Sequence, residues 1–209
     1  KGIRELHPVR EKQAKPLQLE TLAHIVRSLD QRETIAIEEN EQPELLRCCR
    51  DRAFILVGFW RGFRGDELCR MDVEHLVLTK GEGLQIYLRR SKTDRANRGE
   101  VYRLPALAQL CPVQALERYL EVAGLTEGPV FRSINRWGQL GKAALTAKNI
   151  VPLLRKNFIA AGVADAGHYS AHSLRRGFAT WAGQSGWSLK ALMEYVGWKD
   201  LNSAMRYMD

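Results

Sequence analysis

The stretch between Leu76 and Pro105 constrains the fold most, because there the sequence changes from helical to extended texture and back. LQIYLRRSKT and EVYRLP are short β-type runs separated by the turn-forming DRANRG, and together they read as one β-hairpin. The flanking segments have helical periodicity. Upstream, LQLETLAHIVRSL places Leu19, Leu22, Ile25 and Val26 at helical spacing. The polar stretch DQRETIAIEENEQ follows, and then a second helix, PELLRCCRDRAFILVGFW, which Gly62 breaks before RGDELCRM starts a new turn. Downstream, CPVQALERYLEVAG and TAKNIVPLLRKNFIAAG are helices closed by glycine. From Ser170 three more follow: AHSLRRGFATWAGQSG, SLKALMEYVGW and a short LNSAMRYM. With no internal repeat and no low-complexity tract, the expected fold class is α+β, mainly helical, with a small antiparallel β-sheet or hairpin.

At 209 residues and 45% hydrophobic content the chain can bury a substantial core. Its 32 Lys and Arg against 24 Asp and Glu leave a formal charge of +8, which favours a polyanionic partner such as nucleic acid, although many soluble proteins are as basic and bind none. Cys48, Cys49, Cys69 and Cys111 form no CxxC pair and have no histidine at ligand spacing, which argues against zinc and against a disulfide framework. No apolar run approaches the roughly 18 residues of a membrane span, and KGIRELHPVREKQAKPLQ lacks the apolar core of a signal peptide. The reading is a cytoplasmic protein with no membrane partner. Residues 1–16, polar, basic and aperiodic, have the texture of a linker.

Four groups of residues can carry chemistry, and each also has a plain structural reading. Arg64 and Glu67 stand three apart at a helix start, where they can pair as an ordinary surface ion pair does. Arg89, Arg90, Lys92, Arg95 and Arg98 crowd the hairpin tip, either as a solvated turn or as cations reaching a nucleic-acid backbone. In SAHSLRRG, His172 and Arg175 share a helical face with Ser170 as a cap; a lone histidine there is commonly structural, but the neighbouring arginine makes a donor pair suited to phosphate. Trp198 precedes Tyr207 by nine residues, and such aromatics are commonly core. No acidic pair or triad suggests a metal-dependent nuclease, and there is no GxxxxGK[ST] phosphate loop.

In this order, R-x-x-E, a hairpin lysine, H-x-x-R, and W followed nine residues later by Y, the set resembles the catalytic domain of the tyrosine recombinases, also called phage integrases. SAHSLR at 170–175 and VGW at 196–198 match the family's pattern almost letter for letter, and the resemblance runs from about Lys15 to Asp209. It implies that Arg64 and Arg175 hold the non-bridging oxygens of a scissile phosphate and that His172 is a third contact and proton carrier. It further implies that Lys92 protonates the departing 5′ oxygen, Tyr207 is the nucleophile and Glu67 orients the site. Trp198 stands where many members carry histidine; its indole can donate to phosphate but cannot shuttle a proton. Gly65 and Asp66 also depart from the family's usual residues beside the first arginine.

The function implied is site-specific DNA recombination through a covalent 3′-phosphotyrosyl intermediate, with no cofactor, metal or ATP, because the intermediate conserves the phosphodiester energy. Double-stranded DNA and other protomers, a tetramer at synapsis, are the implied partners, and the cytoplasmic nucleoid the implied location. Residues 1–16 would be an interdomain linker and 17–209 the catalytic domain, without the family's N-terminal DNA clamp or the helix after the tyrosine. The alternatives are a non-catalytic DNA-binding module of this fold, or an enzyme resembling a type IB topoisomerase or telomere resolvase.

Overall fold

Helix α2, Gln42–Arg61, is the axis of the molecule. Pro43 opens it, where a missing N–H costs nothing, and Gly62 ends it at φ 61, a left-handed conformation that residues with a Cβ rarely adopt. Every residue from Ala53 to Phe59 is buried, and a helix that is apolar all round has to be wrapped by others. The wrapping comes from α1 (Leu19–Glu38), α4 (Pro112–Ala123) and α6 (Ala171–Gln184). The computed structural model describes residues 14–79, 81–89, 99–198 and 205.

The stretch DQRETIAIEENEQ does not interrupt the helices where its polarity suggests. Helix α1 continues through it to Glu38, and Asn40 at φ 56 makes the turn. Two of its polar side chains, Arg32 and Glu33, turn inward and are paired. Buried Glu33 accepts from Arg118 Nε at 3.0 Å and lies 2.5 Å from Arg52 Nη1. Burial works against the Glu33 charge, but the two guanidiniums outweigh it and hold the carboxyl below its usual range. Beside it, Asp51 accepts from Arg50 Nε at 2.8 Å and from Asn157 Nδ2 at 2.7 Å, and Asn157 Oδ1 accepts from Arg32 Nη1 at 3.0 Å. This buried network ties α1 and α2 to α5, Ala147–Ala160.

The expected hairpin is present with a third strand beside it. Strands β1 (Leu76–Thr79), β2 (Gly83–Leu88) and β3 (Glu100–Pro105) form one antiparallel sheet in the order β1-β2-β3, with Ile86 opposite Tyr102 and Leu88 opposite Glu100. Leu84, Ile86, Leu88, Tyr102 and Leu104 turn toward the core. A second small sheet pairs β4 (Arg132–Ile134) with β5 (Leu140–Ala144). These strands are too short for a readable alternation, so the sequence did not foretell them. The chain finishes its described course with α7, Leu189–Val196, closed by Gly197 at φ 73. Met205 is helical, and the rest of LNSAMRYM lies outside the described residues.

Ahead of α1, the Leu17 N–H donates to Ser173 O at 3.0 Å, and the chain passes so close to α6 that a Cβ on Gly177 would meet Leu17 O at 2.1 Å. Among the described residues no helix is long and apolar enough to cross a membrane.

Burial leaves a pH signature. The thiols of Cys48 and Cys49, fully enclosed on α2, are each pushed up to about 12 by desolvation. Unfolded thiols ionise near pH 8.5, whereas the folded ones keep their protons, so above about 8.5 the unfolded state binds fewer protons and stability falls as pH rises. The expected slope is at most about 1.4 kcal/mol per pH unit for each thiol. Melting temperatures measured from pH 8 to 10 should drop, and Cys48→Ala with Cys49→Ala should flatten that drop.

Candidate active site

Arg64 sits at the N-cap of α3, Gly65–Cys69, a five-residue helix that follows the left-handed turn at Gly62. The spacing of Arg64 and Glu67 closes this turn on itself: the Arg64 backbone N–H donates to Glu67 Oε2 at 2.6 Å, and its Nη1 donates to Glu67 Oε1 at 3.0 Å. This is not an ordinary surface pair. The Glu67 side chain is 7% exposed while that of Arg64 is 46% exposed, so a buried carboxylate holds a guanidinium that faces solvent. Gly65 has a packing reason to lack a side chain, since a Cβ there would lie 2.7 Å from Ile150 Cδ1 and 3.1 Å from Ala171 Cβ. The glycine therefore lets α3 close on α5 and on the residue preceding His172.

Arg175 reaches the same carboxylate from α6. Its side chain is 3% exposed, and Nη1 lies 3.9 Å from Glu67 Oε2. Nη1 also donates to Gly62 O at 2.6 Å and Nη2 to Val196 O at 3.4 Å. Those carbonyls belong to the C-terminal ends of α2 and α7, where partial negative charge favours a cation. Two helix ends and one carboxylate thus fix the fork of a buried arginine. Lysine, with a point charge and no plane, could not make this set of contacts.

Trp198 comes in behind Gly197, its backbone N–H donating to Met193 O at 2.9 Å, and the Arg175 guanidinium carbon lies 5.2 Å from the centre of its ring. His172 is exposed on the first turn of α6, next to the Ala171–Gly65 contact. The sequence-predicted residues Arg64, Glu67, Arg175 and Trp198 are therefore joined by direct contacts, with His172 beside them. Arg89, exposed at the end of β2, has its carbonyl held by Arg70 Nη1 at 2.9 Å, which ties the base of the hairpin to the end of α3. Sequence reasoning passed over Arg70, whose only signal was its closeness to Arg64 and Glu67. Lys92, Arg90, Arg95, Arg98 and Tyr207 lie outside the described residues.

Two guanidiniums held by one carboxylate, with a histidine and an indole alongside, form a preorganised donor cluster of the kind that stabilises an oxyanion. Comparison with known proteins points the same way. Residues 27–209 match the phage integrase family. The chain belongs to that family. Among curated relatives of this integrase, an integrase/recombinase xerD homolog of Selenomonas ruminantium is 34% identical over 168 residues, spanning 79% of this chain and 49% of the relative. The tyrosine recombinase XerC of Salmonella typhi is 29% identical over 163 residues, 76% of this chain and 47% of the relative. The chain spans about half the length of the curated relatives it matches. Among solved structures, XerH site-specific recombinase bound to its difH substrate in a pre-cleavage complex superposes with a TM-score of 0.69 at 21% identity, over 94% of this chain and 51% of that one. At that identity the likeness is one of fold, and the fold matches the mainly helical α+β class expected from the sequence.

Proposed function

We propose that this integrase cuts and rejoins double-stranded DNA at specific sites, with residues 17–209 as the strand-exchange domain. The observation that carries the reading is the Glu67 carboxylate lying between Arg64 and Arg175, which joins the two arginines of separate motifs into one anion-binding cluster. The Selenomonas, Salmonella and XerH relatives, all named as recombinases, support the same activity.

In this mechanism Arg64 and Arg175 hold the non-bridging oxygens of the scissile phosphate, and His172 and Trp198 add donors. Glu67 keeps both arginines in register. The Tyr207 hydroxyl gives its proton to His172 as its oxygen attacks phosphorus, the bond to the 5′ oxygen breaks, and Lys92 gives its own proton to that oxygen. The 3′-phosphotyrosyl bond conserves the energy of the phosphodiester. A 5′ hydroxyl of a partner strand can then attack it in reverse, with neither nucleotide nor metal consumed. Arg89, Arg90, Arg95 and Arg98 contact the DNA backbone, and strand exchange assembles four protomers on DNA.

The test is formation of a denaturation-resistant protein–DNA adduct with a pool of nicked duplexes that lose the short 5′ leaving strand on cleavage. EDTA is present throughout. An adduct that forms at an undiminished rate in EDTA is the expected result. No adduct from a pool the protein binds in a salt-sensitive manner would leave a DNA-binding module rather than an enzyme.

A further inference from the structure

Arg61 is the last residue of α2, three before Arg64, and the chemistry above makes no use of it. It is only 7% exposed, yet among the described residues its buried Nε and Nη1 find no hydrogen-bond acceptor. Two phenol rings hold it instead. Its guanidinium carbon lies 4.8 Å from the centre of the Tyr102 ring and 4.2 Å from that of Tyr195. A guanidinium does not give up its proton in a protein, so a full charge sits between two aromatic faces. Burying a cation without hydrogen-bonded partners is costly, and what the rings are attached to shows what the charge achieves there.

The nearer ring belongs to the helix end that completes the phosphate site. Tyr195 is the penultimate residue of α7, its hydroxyl donating to Trp60 O at 3.0 Å and its ring stacked 5.2 Å from Phe178. The next residue, Val196, packs on the end of α2, where a Cβ on Gly62 would touch both Val196 methyls at 3.4 Å. Gly62 and Val196 are the residues whose carbonyls accept from Arg175 Nη1 and Nη2, and Trp198, over whose ring the same guanidinium lies, follows directly. The other ring, Tyr102 on β3, is braced edge-on at 5.1 Å by Phe63, which links α2 to Arg64. The cradle of Arg175 thus depends on the ends of α2 and α7 staying together, and Arg61 reaches across that junction.

We propose that Arg61 is a positioning residue of the phosphate site: by gripping the Tyr195 ring it holds the end of α7 against the end of α2, and so keeps the Gly62 and Val196 carbonyls where they fix the fork of Arg175. The inference rests on the reading of Arg175 as a ligand of the scissile phosphate. Without the grip the end of α7 can shift. The bond from Nη2 to Val196 O, the longer of the two at 3.4 Å, is then the first to be lost, and the guanidinium can turn about its remaining bond to Gly62 O.

The experiment measures single-turnover cleavage and DNA affinity separately, on a nicked duplex recovered from the adduct test. It compares wild type, Arg61→Met, Tyr195→Leu, Arg175→Lys and the double variants that combine Arg175→Lys with each of the other two. Misplacing a group at the reacting centre by about 1 Å costs on the order of 100-fold, so Arg61→Met should slow cleavage by about 10- to 100-fold while DNA affinity stays within about threefold of wild type. Tyr195→Leu, which removes the gripped ring, should do the same, and it carries the test if Arg61→Met does not fold. Arg175→Lys has no fork left to aim, so adding either substitution to it should slow cleavage by no more than about threefold further. Losses that multiply in the double variants, or a fall in affinity that matches the fall in cleavage, would overturn the inference and leave the role of Arg175 standing. So would cleavage by both single variants at the wild-type rate. If wild type forms no adduct, or if Arg175→Lys cleaves as wild type does, the underlying reading falls and the inference with it.

Discussion

Replacing Arg175 with alanine is expected to slow DNA cleavage by about 10³-fold or more, since removing a single preorganised donor from an oxyanion site commonly costs 10²- to 10³-fold and this residue supplies two donor arms. Arg175→Lys keeps the charge but not the fork. An ammonium can satisfy Gly62 O or reach a phosphate oxygen but cannot span both, so a loss of about 10²-fold is expected. The alanine variant also leaves the carbonyls of Gly62 and Val196 without their buried donor, which should cost about 1–3 kcal/mol for each group left unsatisfied. Single-turnover cleavage should therefore be measured at a temperature where circular dichroism shows both variants folded. Cleavage by Arg175→Ala within tenfold of wild type would remove this residue from the phosphate site.

The largest effect on stability is expected at Asp51. It is 3% exposed and links Arg50 to Asn157, and through Asn157 to Arg32. Asp51→Ala leaves the Arg50 charge buried without its carboxylate, a change that costs about 3–5 kcal/mol. For a chain of this size that corresponds to a melting temperature lower by about 6–20 °C. Because the two residues touch, Asp51→Ala and Asn157→Ala together should cost less than their sum, with a coupling of about 0.5–3 kcal/mol. Calorimetry on the two single variants and the double variant measures this directly. Additive costs would mean that the network is not a unit.

Both predictions depend on contacts whose visibility in the sequence differed. The helices carrying the site could be read from periodicity, and the Arg64–Glu67 and His172–Arg175 spacings placed each pair on one helix face. What spacing could not reveal is that Glu67 also lies beside Arg175, because that contact is made between α3 and α6 and depends on how α2 ends at Gly62 and α7 at Gly197. The continuation of α1 past Asp30 was hidden for a related reason. Glu33 and Arg32 look like surface residues until Arg52, Arg118 and Asn157 come from other helices to pair with them. Arg61 is the same case at the site itself. An arginine at the end of an apolar helix suggests solvent, and only the approach of β3 and α7 turns it into a buried cation between two rings.

In the proposed mechanism a tyrosine oxygen becomes covalently bonded to a DNA phosphate held by this arginine cluster. Proteolysis of the trapped adduct followed by mass spectrometry of the DNA-linked peptide tests it most directly. One modified peptide is expected, with the nucleotide on Tyr207 through a 3′ phosphate, and no adduct from Tyr207→Phe. A nucleotide found on a different residue, or an adduct that persists in Tyr207→Phe, would contradict it.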